Sequence, residues 1–308
     1  MKKDLLSLYD LEPRDFQEIF EKSAKLKKML REGTPHAHLA GKTLGMIFEK
    51  SSTRTRLSFE VGIYQLGGIA VYLNSRDIQL ARGESVEDTA RVVSRYVDGL
   101  MIRTFSQAVV EEFARYATIP IINGLTDLLH PCQILGDLFT VFEKKGRHEG
   151  LRVAYVGDGN NIANTWVEAA ARLPIILVLA CPAGYDPDGG ILDRAMKDAP
   201  GRIHLYRDPR EAVSGADVVY TDVWASMGQE AQKEARAKAF KAYQVNSALM
   251  GYARADAIVM HCLPAHRGEE ITAEVMDGPR SVIVDQAENR LHVQKALMEI
   301  LMGGGKKN

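Results

Sequence analysis

Residues 44–64, which read LGMIFEKSSTRTRLSFEVGIY, place a short apolar strand directly before an amphipathic helix. The run Leu44–Phe48 has the apolar character of a buried strand, and Ser52 is a favourable N-cap residue. Three apolar residues at helical spacing follow the cap: Leu57, Val61 and Tyr64. The sequence therefore predicts a strand that ends near residue 48 and a helix that begins at Ser52 and has this stripe on one face.

The same alternation of strand and helix recurs along the chain. Short β-rich runs occupy Leu44–Phe48, Ile69–Leu73, Gly99–Ile102, Ile119–Ile122, Arg152–Val156, Ile175–Ala180, Asp217–Tyr220, Ala257–Met260 and Val282–Val284. Strands that alternate with helices predict parallel sheets with crossover helices. The predicted fold class is α/β, with two doubly wound parallel-sheet lobes joined by an interdomain helix, and a C-terminal helix from about Ala287 to Met302.

A helical segment separates the two sets of strands. In the segment from Gln133 to Lys145, apolar residues fall at the i, i+3, i+4 and i+7 positions of one helix face. The chain has 308 residues, enough for two domains. We predict a first domain of residues 1–134 plus 288–308, a connecting helix at 135–146 and a second domain of residues 147–287.

Composition limits the possible partners. The 39 Lys and Arg residues balance 40 Asp and Glu residues, for a formal net charge of -1, so nucleic-acid and membrane partners are not expected. The 3 cysteines are too few and too far apart for a disulfide framework, which fits a reducing compartment. Acidic residues near the start, among them Asp4 and Asp10, do not fit a signal peptide. We expect a cytoplasmic protein.

The first turn of the helix after Ser52 predicts an anion site. Helix N-termini carry partial positive charge, yet this turn contains Arg54 and Arg56, with Lys50 just upstream. A phosphate would satisfy the backbone N–H groups, the hydroxyls of Ser52 and Thr55 and a guanidinium together.

Other interpretations of these motifs remain open. Arg54 and Arg56 would be surface structure if they paired with Glu49 and Glu60. The sequence lacks a P-loop, so a nucleoside triphosphatase is not supported. A non-catalytic anion-binding protein is one alternative. An NAD-dependent dehydrogenase is another, because Gly157-Asp158-Gly159 follows a strand, but the third glycine of that fingerprint is replaced by Ile162.

Four ordered motifs together resemble the aspartate/ornithine carbamoyltransferase family over essentially the whole chain. They are Ser-Thr-Arg-Thr-Arg at 52–56, His-Pro-Cys-Gln at 130–133, Asp-Val-Trp-Ala-Ser-Met-Gly at 222–228 and His-Cys-Leu-Pro at 261–264. The first two resemble the carbamoyl phosphate signature of the family. The last two point to ornithine as the acceptor, so the resemblance implies carbamoyl transfer to the δ-amino group of L-ornithine, giving citrulline and phosphate, as in arginine biosynthesis.

The resemblance also implies a set of site residues. The first domain would bind carbamoyl phosphate, and the implied ligands of that substrate are Ser52, Thr53, Arg54, Thr55, Gln79, Arg103, His130, Pro131, Cys132, Gln133, Cys262, Leu263 and Arg290. Gln79 would come from a neighbouring subunit of a homotrimer. The second domain would bind ornithine, through Asn161, Asp222, Ser226 and Met227. Arg103, His130 and Cys262 are the implied catalytic residues.

Several details stay open at this level. Cys262 would act as a covalent nucleophile or would only position substrate, and the group that takes the proton is undecided. The spacing of His261, Cys262 and His266 is not a standard zinc pattern, and we predict no metal and no cofactor. N-acetylornithine and putrescine remain alternative acceptors. Residues 228–241 form a candidate lid, since they contain few core-type residues.

Overall fold

The computed structural model describes residues 1–225 and 232–303. The chain forms two compact units. Unit 1 comprises Met1–Gly136 and Glu288–Asn308, and unit 2 comprises Asp137–Ala287. Each unit contains one parallel sheet flanked by helices, so the predicted α/β class is confirmed. None of the helices in the described ranges has the length and apolar character needed to cross a bilayer.

Unit 1 is built on a 4-stranded parallel sheet in the order β2-β1-β3-β4. Its strands are β1 (Thr43–Phe48), β2 (Ile69–Asn74), β3 (Gly99–Arg103) and β4 (Ile121–Leu125). Its helices are α1 (Pro13–Arg31), α2 (Thr53–Gln65), α3 (Val86–Val93) and α4 (Gln107–Tyr116). Helix α5 (Pro131–Lys145) begins in unit 1 and ends in unit 2. Buried Val97, Ile102 and Phe113 belong to the apolar core of unit 1.

Unit 2 contains a 5-stranded parallel sheet in the order β7-β6-β5-β8-β9. Its strands are β5 (Arg152–Val156), β6 (Ile176–Ala180), β7 (Ile203–Tyr206), β8 (Val218–Thr221) and β9 (Ile258–His261). Its helices are α6 (Asn161–Arg172), α7 (Gly189–Asp198), α8 (Pro209–Val213), α9 (Lys233–Phe240), α10 (Ser247–Met250) and α11 (Ala273–Met276). Helix α12 (Ile283–Met302) begins in unit 2 and ends in unit 1.

In both sheets the strand order reverses next to the first strand. In unit 1 the reversal lies between β1 and β3, and in unit 2 it lies between β5 and β8. Ligands of open parallel sheets bind outside the carboxyl ends of the strands at such a reversal. The residues that follow these strands are therefore the first candidates for a functional site in each unit.

Two strand predictions need correction. Val282–Val284 is not a strand, because helix α12 begins at Ile283 and only Ser281 bridges to Val259 of the sheet. Strand β7 was not predicted, since it has only four residues, IHLY, and includes a histidine. The run predicted at Ile119–Ile122 pairs as a strand only from Ile121 onward.

The apolar stripe of helix α2 is exposed, and a different face of the helix is buried in unit 1. Leu57, Val61 and Tyr64 are 55%, 37% and 76% exposed, whereas Phe59 and Ile63 are fully buried. The opposite face packs inward because Gly62 leaves room for helix α12. A Cβ atom on Gly62 would lie 3.0 Å from Met298 Cε.

Candidate active site

Helix α2 begins as the sequence predicts, with Ser52 as its N-cap. The Ser52 Oγ accepts a hydrogen bond from the Thr55 N–H at 3.2 Å, and Ser52 has an extended backbone with φ -162°. The first turn contains Thr53 and Arg54 but no acidic residue. The N-terminus of this helix therefore keeps the positive character that favours an anion.

Two arginines from distant parts of unit 1 converge on Thr55. Arg103, the last residue of β3, donates from Nη1 to the Thr55 Oγ1 at 3.3 Å. Arg290 of helix α12 donates from Nη2 to the same oxygen at 3.0 Å. Thr55 and Arg290 are both buried. Gly136 of α5 allows this approach, since a Cβ there would lie 3.2 Å from Arg290 Cγ.

His130 lies in the field of the same cations. Burial lowers the pKa of His130 well below its usual value, and the positive charges of Arg290, Arg103 and Arg54 lower it further. The imidazole is therefore neutral at neutral pH, and a neutral ring can donate one hydrogen bond without charging. Gln133, in the first turn of α5, is buried and donates its N–H to the His130 carbonyl at 3.1 Å.

The residues between His130 and Gln133 support the start of helix α5. Pro131 is the first helical residue, a position at which the missing N–H costs nothing. The thiol of Cys132 is buried and donates to the Asn123 carbonyl at 3.3 Å. Burial raises the pKa of Cys132 to about 12, so this thiol is protonated and unreactive.

The remaining basic residues of this region make other contacts. Arg56 donates to Glu60 at 3.1 Å and lies over the Tyr72 ring, so the surface interpretation holds for Arg56. Lys50 pairs with Asp127. Gln79 is exposed in a 3-10 turn after β2.

In unit 2, Asp222 follows β8 at the reversal of strand order and is buried. Its Oδ1 accepts the Val223 N–H at 2.8 Å and the Cys262 thiol at 2.9 Å. Its Oδ2 accepts from the side-chain amide of Asn160 at 2.7 Å. Asp222 and Cys262, predicted to handle the acceptor, are thus brought into direct contact.

A buried histidine fixes the segment that contains Cys262 and Leu263. The Leu263 N–H donates to His261 Nδ1 at 2.8 Å, which leaves the ring proton on Nε2 to be donated to Glu270 at 3.0 Å. The His261 N–H donates to Gln286 at 2.9 Å. Leu263 has a left-handed backbone with φ 58°, a strained conformation for a branched residue. These contacts hold the strained backbone in place.

A buried ion pair, Arg236 with Asp158, lies beside Asp222. Arg236 of α9 donates to the Trp224 carbonyl at 2.8 Å and pairs with Asp158 at 2.9 Å. Burial raises the pKa of Asp158 to about 6 despite Arg236, and the negative charge of Asp222 adds to the rise. The backbone after β8 is thereby tied to the turn after β5.

Of the other predicted acceptor-binding residues, only Asn161 lies in the part of the chain that the structure describes. Asn161 is the first residue of α6 and is partly buried. Ser226 and Met227, and residues 228–231 of the candidate lid, lie outside the described residues. Sequence reasoning missed Asn160 and Glu270. The signal for Asn160 was available, since an asparagine directly before a helix is a typical N-cap.

The described residues contain two groups of potential metal ligands, and within each group the ligand atoms lie within 4.8 Å of one another. One is Asp222, His261 and Cys262, and the other is His266, Glu269 and Glu270. In the first group both ring nitrogens of His261 already make hydrogen bonds within the protein. The first group therefore fits a hydrogen-bonded acceptor site better than a metal centre.

Comparison with known proteins identifies both halves of the chain. Residues 3–143 match the family model "Aspartate/ornithine carbamoyltransferase, carbamoyl-P binding domain", and residues 149–301 match the "Asp/Orn binding domain" of the same family. The two models are the two halves of a carbamoyl-group transferase.

Relatives named ornithine carbamoyltransferase match along the full length. The protein from Syntrophus aciditrophicus is 69% identical over 302 residues, which cover 98% of this chain and 100% of that relative. The solved structure of the Pyrococcus furiosus protein is 53% identical with a TM-score of 0.95, covering 98% of each chain. That of the Burkholderia thailandensis protein is 49% identical with a TM-score of 0.90, covering 98% and 99%. The chain belongs to the aspartate/ornithine carbamoyltransferase family.

Proposed function

We propose that the protein transfers the carbamoyl group of carbamoyl phosphate to the δ-amino group of L-ornithine, giving L-citrulline and phosphate. The observation that carries the choice of acceptor is the buried carboxylate of Asp222 at the strand reversal of unit 2. A buried carboxylate suits an acceptor with an α-ammonium group, and an acceptor without that group would leave Asp222 without a cationic partner.

Unit 1 would bind carbamoyl phosphate. The phosphate would lie at the N-terminus of α2 against Ser52, Thr53, Arg54 and Thr55. Arg103, His130, Gln133 and Arg290 would surround the carbamoyl group, with Pro131 and Cys132 shaping the wall. The support is the convergence of Arg103 and Arg290 on the Thr55 hydroxyl within unit 1.

The reaction would be a direct transfer. The neutral amine nitrogen attacks the carbamoyl carbon, the bond from that carbon to the phosphate oxygen breaks, and the nitrogen loses a proton. Negative charge develops on the carbonyl oxygen, where each fixed donor contributes about 3–4 kcal/mol in comparable sites. Arg103, the neutral His130 and the Thr55 hydroxyl are the donors we assign to that oxygen.

Unit 2 would hold ornithine through Asn161, Asp222, Ser226 and Met227, with Cys262 positioning the reacting amine. The thiol of Cys262 donates to Asp222 at 2.9 Å, a contact that supports positioning rather than covalent attack. Holding two substrates in one orientation can supply about 7–11 kcal/mol without a covalent intermediate.

The enzyme would act as a cytoplasmic homotrimer in arginine biosynthesis, with Gln79 reaching the site of a neighbouring subunit. The trimer rests on the family resemblance. An apolar face on α2 supports it, because a groove of about 650 Å³ there is lined by Thr53, Arg56, Leu57, Glu60, Val61 and Tyr64. Strand β2, at the sheet edge, adds the exposed side chains of Ile69 and Val71.

A citrulline-type colorimetric assay tests the proposed reaction. Carbamoyl phosphate is offered with ornithine, N-acetylornithine, putrescine or aspartate, and carbamoylated product and phosphate are both measured. We expect turnover with ornithine and with none of the other three amines. Preferred turnover with another amine would overturn the assigned acceptor, and no turnover with any amine would overturn the reaction.

A further inference from the structure

We propose that Asn160 is a positioning residue that fixes the carboxylate of Asp222 for the acceptor amine. This inference rests on the proposed function, because Asp222 is there assigned to the ammonium group of ornithine. Asn160 itself is not among the acceptor-binding residues that the sequence predicts.

The orientation of the Asn160 side chain is determined by its neighbours. Its Oδ1 accepts the N–H groups of Ile162 and Ala163 at 2.9 and 3.3 Å, as the N-cap of helix α6. The Tyr155 hydroxyl donates to the Asp158 carbonyl at 2.8 Å and lies 3.2 Å from the same Oδ1. Because Oδ1 accepts the two backbone N–H groups, the Nδ2 group must face the other way.

That other direction contains Asp222. The Asn160 Nδ2 donates to Asp222 Oδ2 at 2.7 Å. Because Val223 and Cys262 already hold Oδ1 of Asp222, Asn160 supplies the contact that fixes the second oxygen. The carboxylate plane is thereby set relative to helix α6, which also contains Asn161 at its first position.

Tyr155 makes the arrangement robust to pH. Burial raises the pKa of the Tyr155 hydroxyl well above its usual value, and the nearby charge of Asp222 raises it further. The hydroxyl therefore stays protonated across the working range, and no negative charge develops beside the Asn160 side chain. The helix cap and the acceptor carboxylate are joined through one amide.

Substitution of Asn160 separates its two roles. Asn160→Ser keeps a good N-cap oxygen but is too short to reach Asp222. Asn160→Asp keeps the cap and the shape but places a carboxylate against Asp222. We expect KM for ornithine to rise about 10–100-fold in both variants, as for a lost hydrogen bond to a charged group, with KM for carbamoyl phosphate unchanged. In Asn160→Asp the ornithine KM should also acquire a new pH dependence.

Asn246→Ser is the matched control, since Asn246 caps helix α10 of the same unit. It should leave the ornithine KM as in the unsubstituted enzyme. An unchanged ornithine KM in Asn160→Ser would overturn the positioning role. An equal rise in KM for ornithine and for carbamoyl phosphate would overturn it too. Turnover of ornithine by the unsubstituted enzyme is measured first, so that failure of the proposed reaction is distinguished from failure of this inference.

Discussion

Arg290 and Thr55 lie 235 positions apart in the chain, yet the Arg290 Nη2 donates to the Thr55 hydroxyl at 3.0 Å. Arg103 donates to the same oxygen, so one small buried side chain orients two guanidinium groups. Preorganised cations of this kind stabilise developing negative charge without rearrangement during the reaction.

Replacement of Thr55 by valine tests this arrangement. Thr55→Val keeps the shape and burial of the side chain but removes the acceptor of both arginines. We expect KM for carbamoyl phosphate to rise about 10–100-fold and the free energy of unfolding to fall by about 1–3 kcal/mol. Initial rates and denaturant titration measure the two effects. Thr165→Val, a buried threonine of unit 2, should leave the carbamoyl phosphate KM unchanged. The same KM in both variants would contradict the role of Thr55.

The buried His130 should make the fold sensitive to acid. Its pKa is depressed in the folded state by burial and by three arginines, so below its ordinary value of 6.5 only the unfolded chain takes up the proton. Stability is therefore fully present above pH 6.5 and falls as the pH decreases, by up to about 1.4 kcal/mol for each unit until the folded-state pKa is reached.

Unfolding free energies at pH 7.5 and 5.5 measure this effect. The difference between the two pH values should be smaller in His130→Gln than in the unsubstituted protein, and unaltered in His204→Gln, on strand β7 of the other unit. If His130→Gln shows the full difference, His130 is not the acid-sensitive group.

Glu270 should support the acceptor loop through His261. Glu270 Oε1 accepts both the His261 ring N–H at 3.0 Å and the His266 backbone N–H at 2.6 Å. Glu270→Ala leaves two donors without an acceptor, so we expect the unfolding free energy to fall by about 2–4 kcal/mol and the ornithine KM to rise. Glu270→Gln retains an acceptor oxygen, so its unfolding free energy should fall by less than that of Glu270→Ala.

The neighbouring Glu269 provides the control for that experiment. It pairs with Lys233 at the surface, and surface pairs contribute at most about 1 kcal/mol. Glu269→Ala should therefore resemble the unsubstituted enzyme in melting temperature and kinetics. If Glu269→Ala lowered the melting temperature as much as Glu270→Ala, the buried contact between Glu270 and His261 would not explain the effect.

The exposed face of helix α2 should mediate assembly. Leu57→Glu combined with Val61→Glu places two charges on this face, and we expect light scattering to show single chains instead of trimers. Val284→Glu is the control, because Val284 is 82% exposed on helix α12 and lies outside that face. Assembly that survives the double substitution would place the interface elsewhere.

Local patterns in the sequence predict most of the fold and the start of helix α2. The strand–helix alternation and the Ser52 cap depend on neighbouring residues, and both were predictable. The buried face of α2 was not, because exposed Leu57 and Tyr64 are as apolar as buried Phe59 and Ile63, and only packing against helix α12 distinguishes them.

Contacts between distant segments set the rest of the site. No local pattern links Asn160 to Asp222 or Arg290 to Thr55. The first pair meets because two parallel strands end side by side, and the second because helix α12 packs against helix α2. The resemblance to a family supplied Arg290 and Asp222 but not Asn160, whose contribution is visible only in its hydrogen bonds.

The division of unit 1 into two sequence segments affects the newly made protein. Arg290 lies in the second segment, Glu288–Asn308, so a chain still emerging from the ribosome lacks it until all of unit 2 has been synthesised. Ligands stabilise only chains that can bind them. Carbamoyl phosphate would thus favour chains that contain Arg290, and translation products that stop before residue 288 would gain nothing from a cell rich in substrate.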